Sequence, residues 1–215
     1  MSPIDTLIES LVAAQTAPDA YNEYAGNDAN NVIRCENLRC YLNAMMQQTP
    51  QLMLVMEAPG YRGCRLTGVP VTSRKILLEG VPELAFFGAA HGYQNTADVG
   101  FEAIYGEQSA TIVWQTLADL RVVPIIWNTV PFHPHHLGKP LTNRAPRKLE
   151  IEHGSDFLQQ VIQLFQPQKI IAVGNVAYGA LMALNISCHK IRHPAQGGKH
   201  EFVTGLKAAI GKNSG

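Results

Sequence analysis

The first apolar positions, Ile4, Leu7, Ile8, Leu11 and Val12, recur at i, i+3, i+4, i+7 and i+8, a spacing that predicts an amphipathic helix opening at Ser2-Pro3. The polar stretch from Thr16 to Asn31, rich in Asn, Asp and Tyr, predicts a surface loop, and Cys35 to Met46 a second helix. Three short apolar runs then follow at wide intervals: Leu52 to Met56, Val122 to Trp127 and Lys169 to Val173. Such runs suit buried strands. Helical stretches separate them: one capped by Ser73 and running to Leu78, then Ser109 to Leu120, Ser155 to Phe165 and Val176 to Leu184. A fourth strand closing on Ile191 and a terminal helix from about Glu201 complete the series. Gly80 to Gly106 has no clean period, and a Pro/His-rich loop reaches Pro146. The alternation predicts an α/β fold, a small parallel sheet covered on both faces.

The strands stop in an informative way. The first ends at Glu57-Ala58-Pro59-Gly60, the second at Asn128, and the fourth at Arg192-His193-Pro194. Ligands of open α/β sheets bind at the carboxyl ends of strands, so an acid, an amide and an imidazole are expected to converge at one rim.

Composition narrows the setting. With 215 residues, 46% of them hydrophobic, the chain suits one domain with a sizeable core. Lys plus Arg equals Asp plus Glu at 17 each, so no basic excess announces a nucleic-acid binder. The distribution is uneven: residues 1–60 carry seven acids and two bases, residues 61–215 ten acids and fifteen bases. A polyanion would meet the later part. The four cysteines form no CxxC pair, and no basic-then-apolar leader is visible, which predicts a cytoplasmic protein with reduced thiols. No apolar stretch approaches the ~18–20 residues that span a bilayer, so no membrane role is expected.

Taken in order, Glu57-Ala58-Pro59-Gly60, Gly68-Val69-Pro70-Val71, Trp127-Asn128-Thr129-Val130 and Arg192-His193-Pro194-Ala195 resemble the motifs of the uracil-DNA glycosylase superfamily. Gly174-Asn175-Val176-Ala177 also resembles the family pattern. The resemblance implies a three-layer α/β/α fold with a four-stranded parallel sheet, its core at 51–205 and residues 1–50 supplying helices and a loop. It implies a monomer that acts on DNA containing a damaged base, most readily uracil, by flipping the base and hydrolysing its bond to deoxyribose without a cofactor. Under it, Glu57 stabilises the cationic sugar and positions water. Asn128 reads O4 and N3–H of the base. His193 stabilises charge on the leaving base. Ala58, Tyr61 and Val71 fall in the base pocket, and Arg192, Gln196, Gly197, Gly198 and Lys199 on the DNA.

Two departures stand out. Val71 aligns with a position where the family usually stacks an aromatic ring. Either Tyr61, Phe132 or another aromatic takes over, or the pocket prefers a bulkier base. The loop after His193 lacks a large apolar wedge, which leaves Gln196 to fill the vacated stack, and its glycines would let backbone approach phosphate. The cysteine spacing does not match the iron–sulfur branch of the family.

Competing constellations remain. His133-Pro134-His135-His136 offers imidazoles for zinc, though at no helical ligand spacing; a phosphate-contacting or solvated loop fits it better. Gly174 to Gly179 lacks both the GxGxxG triple and the GK[ST] lysine of nucleotide loops. Structural readings also stand beside each site residue: Glu57 as a helix cap, Asn128 as a turn residue, His193-Pro194 as a corner. The alternatives to a glycosylase are a non-catalytic nucleic-acid-binding relative and a metal-dependent hydrolase built on the histidine loop.

Overall fold

The computed structural model describes residues 2–211. Helix α1 (Pro3–Ala13) opens on a reciprocal cap in which Asp5 N–H donates to Ser2 Oγ at 3.1 Å and Ser2 N–H to Asp5 Oδ2 at 3.3 Å. Its face buries Ile4, Leu7, Ile8 and Leu11, whereas Val12, at 36% exposure, lies outside. The stretch expected to be loop holds a two-residue strand, β1 (Ala20–Tyr21), and helix α2 (Ala29–Gln48) begins well before Cys35. Asp28 caps α2 by accepting from Asn30 and Asn31 N–H. The apolar pattern missed this start because the first turns of α2 bury polar side chains, Asn31 and Arg34.

Four parallel strands form the sheet in the order β3 (Ile125–Asn128), β2 (Leu52–Met56), β5 (Lys169–Val173), β6 (His189–Ile191). The central strand β2 is buried along its whole length, which is why it reads as an unbroken apolar run. Strand β3 starts at Ile125, not Val122, because Pro124 has no N–H for a ladder and Val122 N–H is spent on Leu117 O at the end of α5 (Gln108–Leu120). Its open edge is closed by Tyr41 of α2. That hydroxyl accepts from Ile126 N–H at 2.7 Å and donates to Ile126 O at 3.2 Å, so the edge strand has no free rung there.

Helices α6 (Lys148–Phe165) and α7 (Asn175–Ala183) pack together against β2, β3 and β5, while α5 meets α8 (Lys199–Gly211), which lies on β6. The three-layer α/β/α arrangement follows. Helix α6 begins two turns before Ser155, since Glu150 accepts from Arg147 N–H at 2.7 Å and holds the first turn. The aperiodic region after the short helices α3 (Cys64–Thr67) and α4 (Arg74–Glu79) is ordered by buried ionic groups rather than by a period: Arg34 and Arg74 both bond Asp98, and Asn37 Nδ2 donates to Gln94 O at 2.9 Å. No helix among the described residues is long and apolar enough to cross a membrane.

Candidate active site

The carboxyl ends of β2, β3, β5 and β6 open into one cleft of about 570 Å³. Glu57, Asn128 and His193 all line it, together with Ala58, Val71, Gly174, Arg192 and Gln196. In-register pairing explains the convergence, because Met56 sits opposite Asn128 and Val173 opposite Ile191. Each strand therefore ends at the same level.

The Glu57 loop is held on both sides. Thr129 N–H donates to Met56 O at 2.8 Å and Val130 N–H to Glu57 O at 3.0 Å, tying it to the loop after Asn128. Its far end is held by Tyr61 N–H donating to Asn143 Oδ1 at 3.0 Å. The Glu57 carboxylate makes no hydrogen bond or ion pair among the described residues, so it caps no helix, and burial pushes its pKa above the ordinary carboxylate value. A carboxylate left without protein donors can accept from water or face a cation.

Asn128 is buried, and its Nδ2 points at Cys64 Sγ, 3.9 Å away. Cys64 in turn contacts Glu23 Oε1 at 3.9 Å, and Glu23 Oε2 accepts from His133 N–H at 3.2 Å. Burial raises the Glu23 pKa to about 8, against partial relief from Arg34 and Arg65. A largely neutral carboxyl and a buried thiol thus support the amide from behind.

His193 is half-buried, and both desolvation and the adjacent Arg192 lower its pKa, so the ring is neutral near pH 7. Ala195 N–H donates to Nδ1 at 3.1 Å. Nδ1 is therefore the bare nitrogen and Nε2 carries the proton as a donor. Gly198 makes this turn possible: a Cβ there would sit 2.1 Å from His193 O. That glycine serves the packing of the histidine turn itself, a role distinct from the phosphate approach expected for it.

Other expected positions fall differently. Tyr61 does not line the cleft; its ring lies edge-on to Phe101 with centroids 6.4 Å apart. Phe132 is buried against Phe157 and His153, so neither ring faces the cleft, and among the described residues no Phe, Tyr or Trp lines it. Val71 holds φ 52°, a left-handed conformation that a β-branched residue strongly resists, with its carbonyl fixed by Trp114 Nε1 at 2.8 Å. Gln196 lines the cleft, also at positive φ, whereas Gly197, Gly198 and Lys199 lie beyond it at the start of α8.

The histidine loop divides in two: His133 and His135 are buried, while His136 and the residues up to 140 are exposed. His133 and Pro134 form β4, antiparallel to β1, and the His133 ring is fully buried with Nδ1 2.8 Å from Pro59 O and Nε2 3.3 Å from Pro140 O. It braces the Glu57 loop. Burial lowers its pKa to about 4, so it is neutral near pH 7. Among the described residues no three His, Cys, Asp or Glu side chains group as metal ligands.

Sequence reasoning missed Cys64, Thr72, Glu107, Ser109 and Asn143, which also line the cleft. Glu107 is a second carboxylate there, but it caps α5 by accepting from Ser109 N–H at 3.0 Å and Ala110 N–H at 2.6 Å. An acid one residue before an apolar helical run was the visible signal.

No curated protein matches this chain. The family description "Uracil DNA glycosylase superfamily" matches residues 45–208, which take in all four strands of the sheet and every residue lining the cleft, and the chain belongs to that superfamily.

Proposed function

We propose that the chain is a DNA glycosylase that hydrolyses the N-glycosidic bond of a deaminated or otherwise damaged base, uracil first among them. The observation that carries this reading is the meeting of a donor-free carboxylate, a buried amide and a neutral Nε2–H imidazole in one cleft. Entry requires the base to leave the helical stack, at an unstacking cost of a few kcal/mol. Asn128 then meets the base edge, its amide donating to a carbonyl and accepting from an N–H.

As the bond between C1′ and the base breaks, the electron pair goes to the base and the sugar becomes cationic. Glu57 faces that cation and orients a water, as carboxylates do for oxocarbenium-like states. Nε2–H of His193 donates to the carbonyl oxygen on which negative charge grows. Water adds to C1′ and its proton leaves, giving an abasic sugar and, after protonation, the free base. No step draws on a metal.

A panel of single- and double-stranded oligonucleotides carrying uracil, hypoxanthine, xanthine or oxidised pyrimidines, scored for alkali-labile sites, tests the reading. Glu57→Gln should abolish most turnover while leaving binding to abasic-analogue DNA intact. Unchanged turnover removes Glu57 from the mechanism.

That no Phe, Tyr or Trp among the described residues lines the cleft supports a second reading, a nucleic-acid-binding relative without catalysis. DNA binding with every lane of the panel uncut would favour it.

A further inference from the structure

The rim beside the Glu57 loop carries a group of side chains that the proposed reaction does not use. Arg62 is exposed, and its guanidinium lies 5.3 Å from the Tyr61 ring centroid and 5.6 Å from that of Tyr105. Behind them Phe101, 5% exposed, meets both tyrosines edge-on, at 6.4 Å and 6.0 Å, and so fixes the pair. Arg65 continues the array, 4.9 Å from the Tyr21 centroid and 6.0 Å from that of Phe101, with Nε and Nη1 buried and without hydrogen-bond partners.

No carboxylate among the described residues pairs with Arg62. The nearby acids are engaged elsewhere: Glu102 accepts from Gly100 N–H at 2.8 Å, Glu107 caps α5, and Asp98 is held by Arg34 and Arg74. Lys75 is exposed, and its backbone N–H donates to Tyr105 O at 3.4 Å. The patch is therefore cationic and aromatic at once. Gly60 and Gly63, which bracket Tyr61 and Arg62, line the cleft, so the patch begins where the cleft ends.

We propose that Tyr61, Arg62 and Tyr105 form a platform for a nucleotide next to the extruded one, in an unpaired stretch of DNA. The proposal rests on the glycosylase reading for the position of the strand. A strand that delivers one base into the cleft must lay its neighbours on the rim within one backbone repeat. There the neighbouring phosphate supplies the anion that Arg62 lacks, and its base packs on the tyrosine and guanidinium faces, a sequence-tolerant interaction open to any unstacked base. A base paired and stacked in a duplex has no free face to offer. The platform thus favours single-stranded or locally opened DNA.

Fluorescence anisotropy with an undamaged single-stranded thymidine dodecamer, the matching duplex and a dodecamer of abasic tetrahydrofuran units tests this without requiring catalysis. Tyr61→Ala should weaken binding of the thymidine strand by about tenfold, leave the duplex and the abasic backbone unchanged, and keep the melting temperature of the wild type. Tyr61→Phe should restore wild-type affinity. Arg62→Ala should lower the salt slope on single strands by about 0.7.

Equal loss on the thymidine and abasic strands, or no loss with Tyr61→Ala, overturns the platform. The oligonucleotide panel fails separately. A wild type that cuts no lane but loses single-strand affinity on Tyr61→Ala refutes the glycosylase reading and leaves the platform as a DNA-binding surface.

Discussion

Replacing Glu23 by Gln should change how stability depends on pH, and the structure gives the size of the change. Glu23 is completely buried, and its pKa rises from 4.5 to about 8. Between those values the folded state keeps a proton that the unfolded chain releases, so stability falls as pH rises, by about 1.4 kcal/mol per pH unit. His133, whose backbone N–H donates to Glu23, works in the opposite direction: its pKa drops from 6.5 to about 4, and over that window stability rises with pH. The two slopes cancel from roughly pH 4.5 to 6.5. Above 6.5, of these two, only Glu23 still titrates, and by pH 8 it should cost the wild type on the order of 1–2 kcal/mol, or roughly 3–6 °C in Tm for a chain of this size. Glu23→Gln keeps an acceptor for His133 N–H but cannot ionise. Urea unfolding at half-unit steps from pH 5 to 8.5 should show the wild-type decline above 6.5 absent in the variant, and a rise between 5 and 6.5 uncovered. A uniform offset from the new amide does not affect that comparison. Parallel curves for the two proteins would refute the assignment of the alkaline decline to Glu23.

At the cleft, His193→Ala should lower the single-turnover rate by about 10–1000-fold if Nε2–H stabilises the leaving base; a rate within twofold of wild type would exclude that role. Asn128→Asp removes the amide donor and should reduce uracil excision by about 100-fold or more, and equal excision would show that the amide does not read the base. Gly154→Ala tests the support of the β3 loop. The added Cβ would lie 2.2 Å from Thr129 O, so thermal denaturation should show a loss of roughly 1–3 kcal/mol, and an unchanged Tm would mean that α6 yields without strain.

What the chain disclosed in advance depended on whether apolar residues carried the information. The strands β2 and β5 are buried on both faces and were legible as apolar runs, and because parallel strands end together their terminal residues located the cleft. The start of α2 was hidden because Arg34 and Asn31 face inward to serve distant loops, a requirement that no local pattern records. The histidine loop was legible only in part, for a related reason: its second half is exposed as expected, but its first half is not. Its polar residues suggested a phosphate-contacting or solvated loop, yet the buried His133 ring lies between carbonyls at Pro59 and Pro140, far apart in sequence, and its one N–H donates to one of them. Tyr61 was expected at the base as one candidate for the stack missing at Val71, but the Gly60 to Gly63 turn, closed by Gly63 N–H on Gly60 O at 3.0 Å, carries it onto the rim.

The matched family region begins at residue 45, yet much of what supports the cleft lies before it. Tyr24 hydroxyl holds Gly68 O at 2.9 Å, Tyr41 seals the β3 edge, Glu23 stands behind Cys64, and one buried cluster runs without a break from Ile4 to Ala209. The unit that evolution labels and the unit that must fold together therefore have different borders here. A version trimmed to residues 45–208 would keep the whole parallel sheet and every residue lining the cleft while exposing the underside of that cleft.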